Sequence, residues 1–571
     1  MRTVPRELAI LGLFIVLTII HTWPLALAPA NWSRVDNGDY NLNVWALAWV
    51  AHQAPRDPLH LFDANIFYPE RRTLALSEHL LPQAAFAAPV IWLGGSAVLA
   101  HNISMLAGFA LSGWAMAFVI TRWTGNAYAG ALAGSLAAFN AQNLTRLAHI
   151  QVQHTMYFPL ALLAFDRMLS TRRVRDAIGA GAWIGLQALT SGYWTIFMAL
   201  SMPVAAISRI AEWSYVGAAR RPKPSAADLA RPSARPLLLL CLAAATAALL
   251  VAPIAYQYWR IHQEQGLVRH AAEVTRYSGR WIDYATGAST VHLATPLGWG
   301  LEYRPAANPS FPGVVALILA GITVATGVWW RDRRARMLGA TALVAFLLSF
   351  GMATPIYRWL YEWLPAMSGL RAPVRFRAVV LLAVAGLAGF GLAWLMRRVE
   401  SAGWTRRAVV VLGIGAAALV NAEALRAPIR WTAFEGIPPA YYEVERLPDA
   451  VLAEVPMYAP RVVFANARYL LPATVHWKPM VNGYSGFTPR SYRRLWRDGM
   501  NRFPAPPAAE ALRRAGVTHV VVHPERLGRR AAGVLRGMQQ SGDFQRVGGD
   551  DRRVQIYRLL PDTKSSQELI R

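Results

Sequence analysis

Apolar runs close to the thickness of a bilayer recur through most of the chain, and they restrict its fold more than any other feature. A run of roughly 20 apolar residues needs lipid around it or a very large core. Such runs fall at about residues 8–29, 99–121, 127–141, 155–170, 177–191, 193–210, 236–254, 312–330, 337–351, 373–396 and 405–424. Of 571 residues, 55% are hydrophobic and 16% charged, whereas soluble domains run near a quarter charged. The expected fold class is mainly α: a polytopic membrane helix bundle of about 11 spans, followed by a C-terminal soluble α/β domain.

Charge orients these spans. The net charge is +26, an excess that nucleic-acid binding also produces. Here the arginines fall in short clusters between apolar runs: Arg172, Arg173 and Arg175; Arg220, Arg221, Lys223, Arg231 and Arg235; Arg331, Arg333, Arg334 and Arg336; Arg397, Arg398, Arg406 and Arg407. That pattern follows the positive-inside rule and places all four clusters in the cytoplasm, with no nucleic acid as partner. Arg2 and Arg6 precede a first run longer than a signal peptide's apolar core, so an uncleaved helix is expected there. Counting spans puts the loop at 30–98 and the C-terminus outside. Residues 80–96, broken by Pro82, Pro89, Gly94 and Gly95, then form a re-entrant or interfacial segment. The lone Cys241 lies in an apolar run, which excludes an intramolecular disulfide.

The outer stretch 36–79 collects Asp36, Asp39, Asp57, Asp63, Glu70 and Glu78 in a chain otherwise poor in acids. Asn41 to His52 reads as a surface helix with Leu42, Trp45, Trp49 and His52 on one side, its tryptophans at headgroup level. Asn37-Gly38 favours a tight turn, which sets Asp39 at the end of the first span. Asp39 suits a general base for an incoming hydroxyl and equally suits a cap for the following helix. Glu78 and His79 either orient an acceptor or cap the next segment, beside Ser77.

Other polar candidates lie further along. His149, Gln151, Gln153 and His154 form HIQVQH on an outer loop; if extended, His154 points away from the other three. With no HExxH motif and no cysteine pair, a divalent metal has little support, and no cofactor is expected. LRAPVRFR, residues 370–377, opens a long span with Arg371, Arg375 and Arg377 around Pro373. Proline suits a first helical turn, and free N–H groups with the dipole's positive end make such a turn an anion site. Arginines on the outer face break the inside preference, and binding a phosphate gives a reason for them. Snorkelling toward lipid headgroups is the alternative. The outer segment 255–311 carries Arg269, Glu273, Arg276, Tyr277 and Asp283, as a substrate cover or an ordinary loop. GLAGFG at 386–391 reads as close helix packing rather than nucleotide binding.

Beyond about 425 the apolar runs stop. Prolines 428, 438, 439 and 448 mark a linker; VLAEVPM, RVVFANARYLL, THVVVH and RRVQIYRLL read as strands and PAAEALRRAG as a helix. The expected domains are 1–425, a membrane domain whose outer loop 30–98 carries the candidate site, and 426–571, a mixed α/β domain in the periplasm ending in a frayed DTKSSQELIR tail.

GDYNLNVWALAWVAH, LFDANIFYPERRTLALSEHLL, RLAHIQ, NPSFPGVVAL and LRAPVRFR before LAGFGLAWL resemble bacterial members of the GT-C glycosyltransferase superfamily, related to mannose- and arabinose-type transferases. The resemblance covers roughly residues 1–425. It implies a polyprenyl-phosphate-linked sugar donor, no required metal, and a catalytic aspartate in the first outer loop, which falls on Asp39 with Asp36 in reserve. The adjacent Asp-Glu pair of protein mannosyltransferases is missing, so the acceptor, whether glycan, lipid or protein, stays open. The expected activity is an inverting transfer at the outer face of a bacterial inner membrane. Arg371 and Arg375 would bind the departing phosphate, and membrane lipid would surround the helices. A lipid-linked-sugar transporter or flippase, or a non-catalytic assembly or sensor protein, are the competing readings.

Overall fold

Every apolar run is helical in the computed structural model, which describes residues 4–220, 235–294, 308–550 and 552–561. Most of the second basic cluster (Arg221, Lys223, Arg231), part of the 255–311 segment and the 562–571 tail lie outside the described residues. Among the described residues, four helices are long and apolar enough to cross a membrane: Ala97–Thr124, Arg235–Gln265, Pro373–Ser401 and Arg406–Ala424. Most other runs form shorter helices, such as Ala127–Ala138, Tyr157–Thr171 and Val174–Leu189, while the run at 193–210 lies in the long helix Gly192–Arg220. The chain divides into two compact units, each assembled from separated stretches.

The first unit comprises Met1–Ala28, Ile103–Pro253 and Val268–Arg430. Its centre is the helix Arg377–Ser401, buried along most of its length. Neighbouring helices reach it because the glycines of GLAGFG offer no side chains at the contact. A methyl group on Gly391 would lie 1.9 Å from the Leu319 carbonyl oxygen, and one on Gly389 would meet Ile120 at 2.7 Å. Thr323 Oγ1 donates to the Leu387 carbonyl at 2.7 Å across the same seam. Small residues let backbones approach where lipid removes the hydrophobic drive between helices. Elsewhere in this unit the buried Asp166 gathers Arg209 (3.2 Å), Arg333 (3.2 Å) and Arg334 (3.0 Å). One carboxylate thereby joins three helices.

The second unit comprises Pro29–Asn102, Ile254–Leu267 and Trp431–Arg571. The helix Gly38–Gln53 is its core, and it corrects the expected surface helix: every residue from Tyr40 to Ala51 is buried. The Trp45 indole donates to Asn65 at 3.0 Å and that of Trp49 to the Leu61 carbonyl at 2.8 Å, so these rings sit inside protein rather than among headgroups. The 3.6-residue stripe is real. The remaining faces are alanine, valine and leucine, however, and they pack equally well against Leu81–Trp92 and the C-terminal segments.

Two short strands, β1 (Trp32–Ser33) and β2 (Thr432–Ala433), pair antiparallel and join the first loop to the C-terminal part. A four-stranded sheet follows, from β3 (Leu452–Val455), β4 (His519–Val522), β5 (Phe544–Asp550) and β6 (Val554–Leu559) in the order β3-β4-β6-β5. β3 and β4 run parallel, with Leu452 opposite His519, and the other pairings are antiparallel. The expected strand RVVFANARYLL is instead helical over Pro460–Tyr469. Pro460 opens a helical turn, and the three-residue spacing of Asn466 and Tyr469 buries both on one face. They join a buried polar cluster at the carboxyl ends of β3 and β4. His523 lies 2.6 Å from the fully buried Glu454, the Tyr441 hydroxyl donates to Glu454 at 3.0 Å, and Asn482 bonds both backbone groups of Glu454.

Removing Glu454 leaves the buried His523 and Tyr441 without the acceptor they share, at about 1–3 kcal/mol for each group so orphaned. Glu454→Ala should therefore lower the denaturation midpoint strongly, whereas the exposed Glu445→Ala should change stability by no more than about 0.5 kcal/mol. Equal effects would remove Glu454 from the core's supports. Histidines give this unit a pH dependence. Burial lowers the His79 imidazole to about 4, burial and Arg56 lower His52 to about 4, and burial and Lys478 lower His476 to about 3. Folded-state values below the unfolded 6.5 mean that stability is complete above pH 6.5 and is lost as pH falls toward 4. The thermal midpoint should drop across that window. It should drop less steeply in His79→Asn, whose amide still accepts from a backbone N–H; an unchanged slope would assign the loss to other groups.

Candidate functional site

The acids of the 36–79 stretch separate by the partners they hold within the second unit. Asp57 caps the Pro58–His60 turn and lies 2.8 Å from the His60 ring. Asp63 accepts from the Arg72 N–H at 2.8 Å, and Glu70 accepts from the Gln265 amide at 2.8 Å. Asp36 accepts from Thr432 Oγ1 at 2.8 Å and from Arg34 at 3.5 Å, which ties it to the β1–β2 pair. Burial alone would raise the Asp36 carboxyl; the Thr432 bond and the Arg34 charge bring it below the usual carboxylate value. These are structural duties.

Asp39 is placed differently. The cap of the Gly38–Gln53 helix is Asn37, whose Oδ1 accepts from the Asp39 N–H at 2.9 Å and the Tyr40 N–H at 3.4 Å. This settles the alternative of Asp39 as cap: the preceding asparagine holds that position. Asp39 is half-buried in the first turn, where the helix dipole favours negative charge. The Tyr484 hydroxyl donates to its Oδ1 at 2.6 Å. His79 is buried, and its Nδ1 accepts from the Leu81 N–H at 3.1 Å, so it supports the start of Leu81–Trp92. Glu78 is half-buried beside Ser77, whose carbonyl accepts from Tyr258 at 2.6 Å.

Within the first unit, the LRAPVRFR segment forms the turn Pro373–Phe376 and then the central helix. Its arginines enter different surroundings. Arg371 lies over the Tyr277 ring, 4.6 Å from its centre, and 3.9 Å from Glu273, which pairs with Arg269 at 3.2 Å. Arg375 lies over the Tyr193 ring at 4.3 Å, and the Tyr193 hydroxyl accepts from the Ala372 N–H at 3.2 Å. Arg377 is 1% exposed and donates to Gln142 at 2.7 Å and Ser310 at 3.3 Å.

Arg375 and Arg377 line an open cleft with Arg146, His149, Gln142 and Gln151; Tyr193, Trp194 and Phe197 add aromatic walls. Among the described residues no acid lines it. The structure thus joins Arg375, His149 and Gln151 and sets Arg371, Arg269 and Glu273 in a neighbouring ion-paired group. HIQVQH is not extended: Ile150–Val152 is a helical turn. Gln153 and His154 are buried structural groups, bonding the Asn143 carbonyl at 2.9 Å and the Ser104 carbonyl at 2.9 Å.

Arg146, Gln142 and Ser310 escape the sequence reading. Arg146 stands in RLAHIQ, an outer arginine by the span count, so the argument that singles out 371–377 also applies to it. Its guanidinium bonds Asn308. Asp283 in turn accepts from the Asn308 N–H at 3.3 Å, and its carbonyl accepts from the Ser310 N–H at 2.8 Å. The NPS of NPSFPG therefore braces two of the cleft's arginines.

No protein-family model and no curated protein matches the sequence. Solved structures do. The arabinofuranosyltransferase AftD from Mycobacteria superposes with a TM-score of 0.57 at 15% identity, covering 98% of this chain and 40% of its own. The archaeal oligosaccharyltransferase AglB from Archaeoglobus fulgidus, solved with an inhibitory peptide and a dolichol-phosphate, gives 0.50 at 13% identity, covering 98% and 75%. The chain thus spans well under half the length of the arabinofuranosyltransferase. At such identities the likeness is one of architecture: the chain has the fold of these glycosyltransferases.

Proposed function

We propose that the chain is a membrane glycosyltransferase that takes a sugar from a lipid-phosphate donor and passes it, with inversion, to an acceptor hydroxyl. The observation that carries this reading is the cleft wall: Arg146, Arg375 and Arg377 with His149, and no acid among the described lining residues. Arg377 spends its hydrogen bonds on neutral oxygens. Cations gathered in a low-dielectric wall attract an anion. The AglB structure of similar fold contains a dolichol-phosphate, and a lipid monophosphate has the charge this wall would take. Arg371 and Arg269, already paired with Glu273, have a supporting part in this scheme.

Asp39 is the general base. It takes the proton of the acceptor hydroxyl as that oxygen bonds the anomeric carbon. The carbon–oxygen bond to phosphate breaks on the opposite side, and the lipid phosphate leaves with the electron pair. The Tyr484 hydroxyl orients the Asp39 carboxylate. The setting is the outer face of an inner membrane, with the 426–571 region in the periplasm.

Two variants test the scheme. Arg375→Ala should weaken binding of a polyprenyl phosphate by about ten- to a hundredfold, the range of a charge-assisted hydrogen bond. The exposed Arg398→Ala should leave it unchanged; equal losses would remove the phosphate assignment. Asp39→Asn keeps an acceptor for Tyr484, so fold and phosphate binding should persist while turnover drops by about 10²–10⁴. A flippase would retain its rate in this variant, and turnover close to wild type would rule out Asp39 as the base.

A further inference from the structure

The helix Pro355–Trp363, sequence PIYRWLYEW, presents three faces rather than two. Tyr357 and Leu360 are buried, and Tyr361 anchors the same side by donating to the Arg269 carbonyl at 2.6 Å. Ile356, Trp359 (58% exposed) and Trp363 (69% exposed) form a separate arc that is open. Arg358 and Glu362, four residues apart, are exposed on a third arc. At 100° per residue these arcs follow one another around the helix without interleaving.

A water-facing helix has no use for two open tryptophans beside a charged strip, whereas a helix lying at a lipid–water boundary needs all three arcs. One rests on protein, one enters lipid and one meets water. Tryptophan prefers the headgroup level. Nine residues span about 14 Å, too short to cross a bilayer. The segment also joins the spans expected at 337–351 and 373–396, so both its ends stay at one membrane face. On the preceding helix Arg333–Ser349, Leu343 and Leu347 are exposed as well.

We propose that Pro355–Trp363 is an interfacial anchor, seated in the headgroup layer with Trp359 and Trp363 in lipid and Arg358 and Glu362 in water. It holds the turn Pro365–Gly369, and with it the start of the arginine-bearing segment at Arg371, at a fixed depth in the membrane. This assignment does not depend on the transferase reading, because its test measures depth alone.

Nitroxide labels would be attached to single cysteines in the full chain, with the exposed Cys241 replaced by serine. The sites are Trp359→Cys, Trp363→Cys, Arg358→Cys and Glu362→Cys, with Leu343→Cys as the lipid-facing reference. The protein is reconstituted in phosphatidylethanolamine–phosphatidylglycerol vesicles, and collisions with oxygen and with a water-soluble nickel chelate are measured. The oxygen-to-nickel ratio should be several-fold higher at 359 and 363 than at 358 and 362, and should approach that at 343. Nickel access at 359 and 363 equal to that at 358 and 362 would put the arc in water and overturn the anchor. Closure of 359 and 363 to both reagents would mean that a protein covers them, and would overturn it equally.

Discussion

A guanidinium that keeps 1% of its exposure has lost its water, and the protein must replace what water supplied. For Arg377 the replacement is Gln142 and Ser310, both neutral. Gln142 belongs to the short helix Ala141–Thr145, and Ser310 to a segment that Asp283 grips by its backbone. Stretches far apart in the chain are thereby fixed around one charge. The Asp166 cluster is the opposite solution. There one carboxylate pairs directly with Arg209, Arg333 and Arg334, and the result is a staple. Around Arg377 the hydrogen-bonding oxygens are neutral.

The same contrast explains the acids of the first loop. A carboxylate that accepts a backbone N–H or a neighbour's amide is doing the work of a turn or a cap, as Asp57, Asp63 and Glu70 do. Asp39 is relieved of that work by Asn37 and is bonded by a tyrosine instead. A phenolic hydroxyl fixes a carboxylate's orientation without neutralising it. That combination suits a group whose chemistry depends on keeping its charge.

Helices were the legible part of this chain because an apolar run near bilayer length leaves few alternatives. Arg375 stands out in the sequence for a related reason: the span count puts it on the side where the charge rule disfavours arginine. Burial of the Gly38–Gln53 helix was not. Its tryptophan stripe looks the same whether the opposite face meets water or protein, and only tertiary packing decides. The Pro460–Tyr469 helix was misread because β-branched residues beside aromatics imitate a strand, while the requirement to bury Asn466 and Tyr469 together is set by Tyr492 and Pro456, distant in sequence. Gln142 and Ser310 carried no mark at all, since a neutral side chain that solvates a buried cation is indistinguishable in sequence from any surface polar residue.

The bond between Tyr484 and Asp39 joins residues 445 positions apart, and the β1–β2 pair similarly waits for Thr432. At a synthesis rate of about 5–20 residues per second, the interval between the two ends of the tyrosine–aspartate bond is about 20–90 s. Throughout that time the helices between them are emerging and the first loop lacks its partners. The Asp39 environment is therefore among the last parts of the molecule to be completed. A nascent chain already threaded through the membrane cannot yet hold that carboxylate in its finished orientation, and a ribosome that stops short of residue 484 leaves the loop without the tyrosine that orients it.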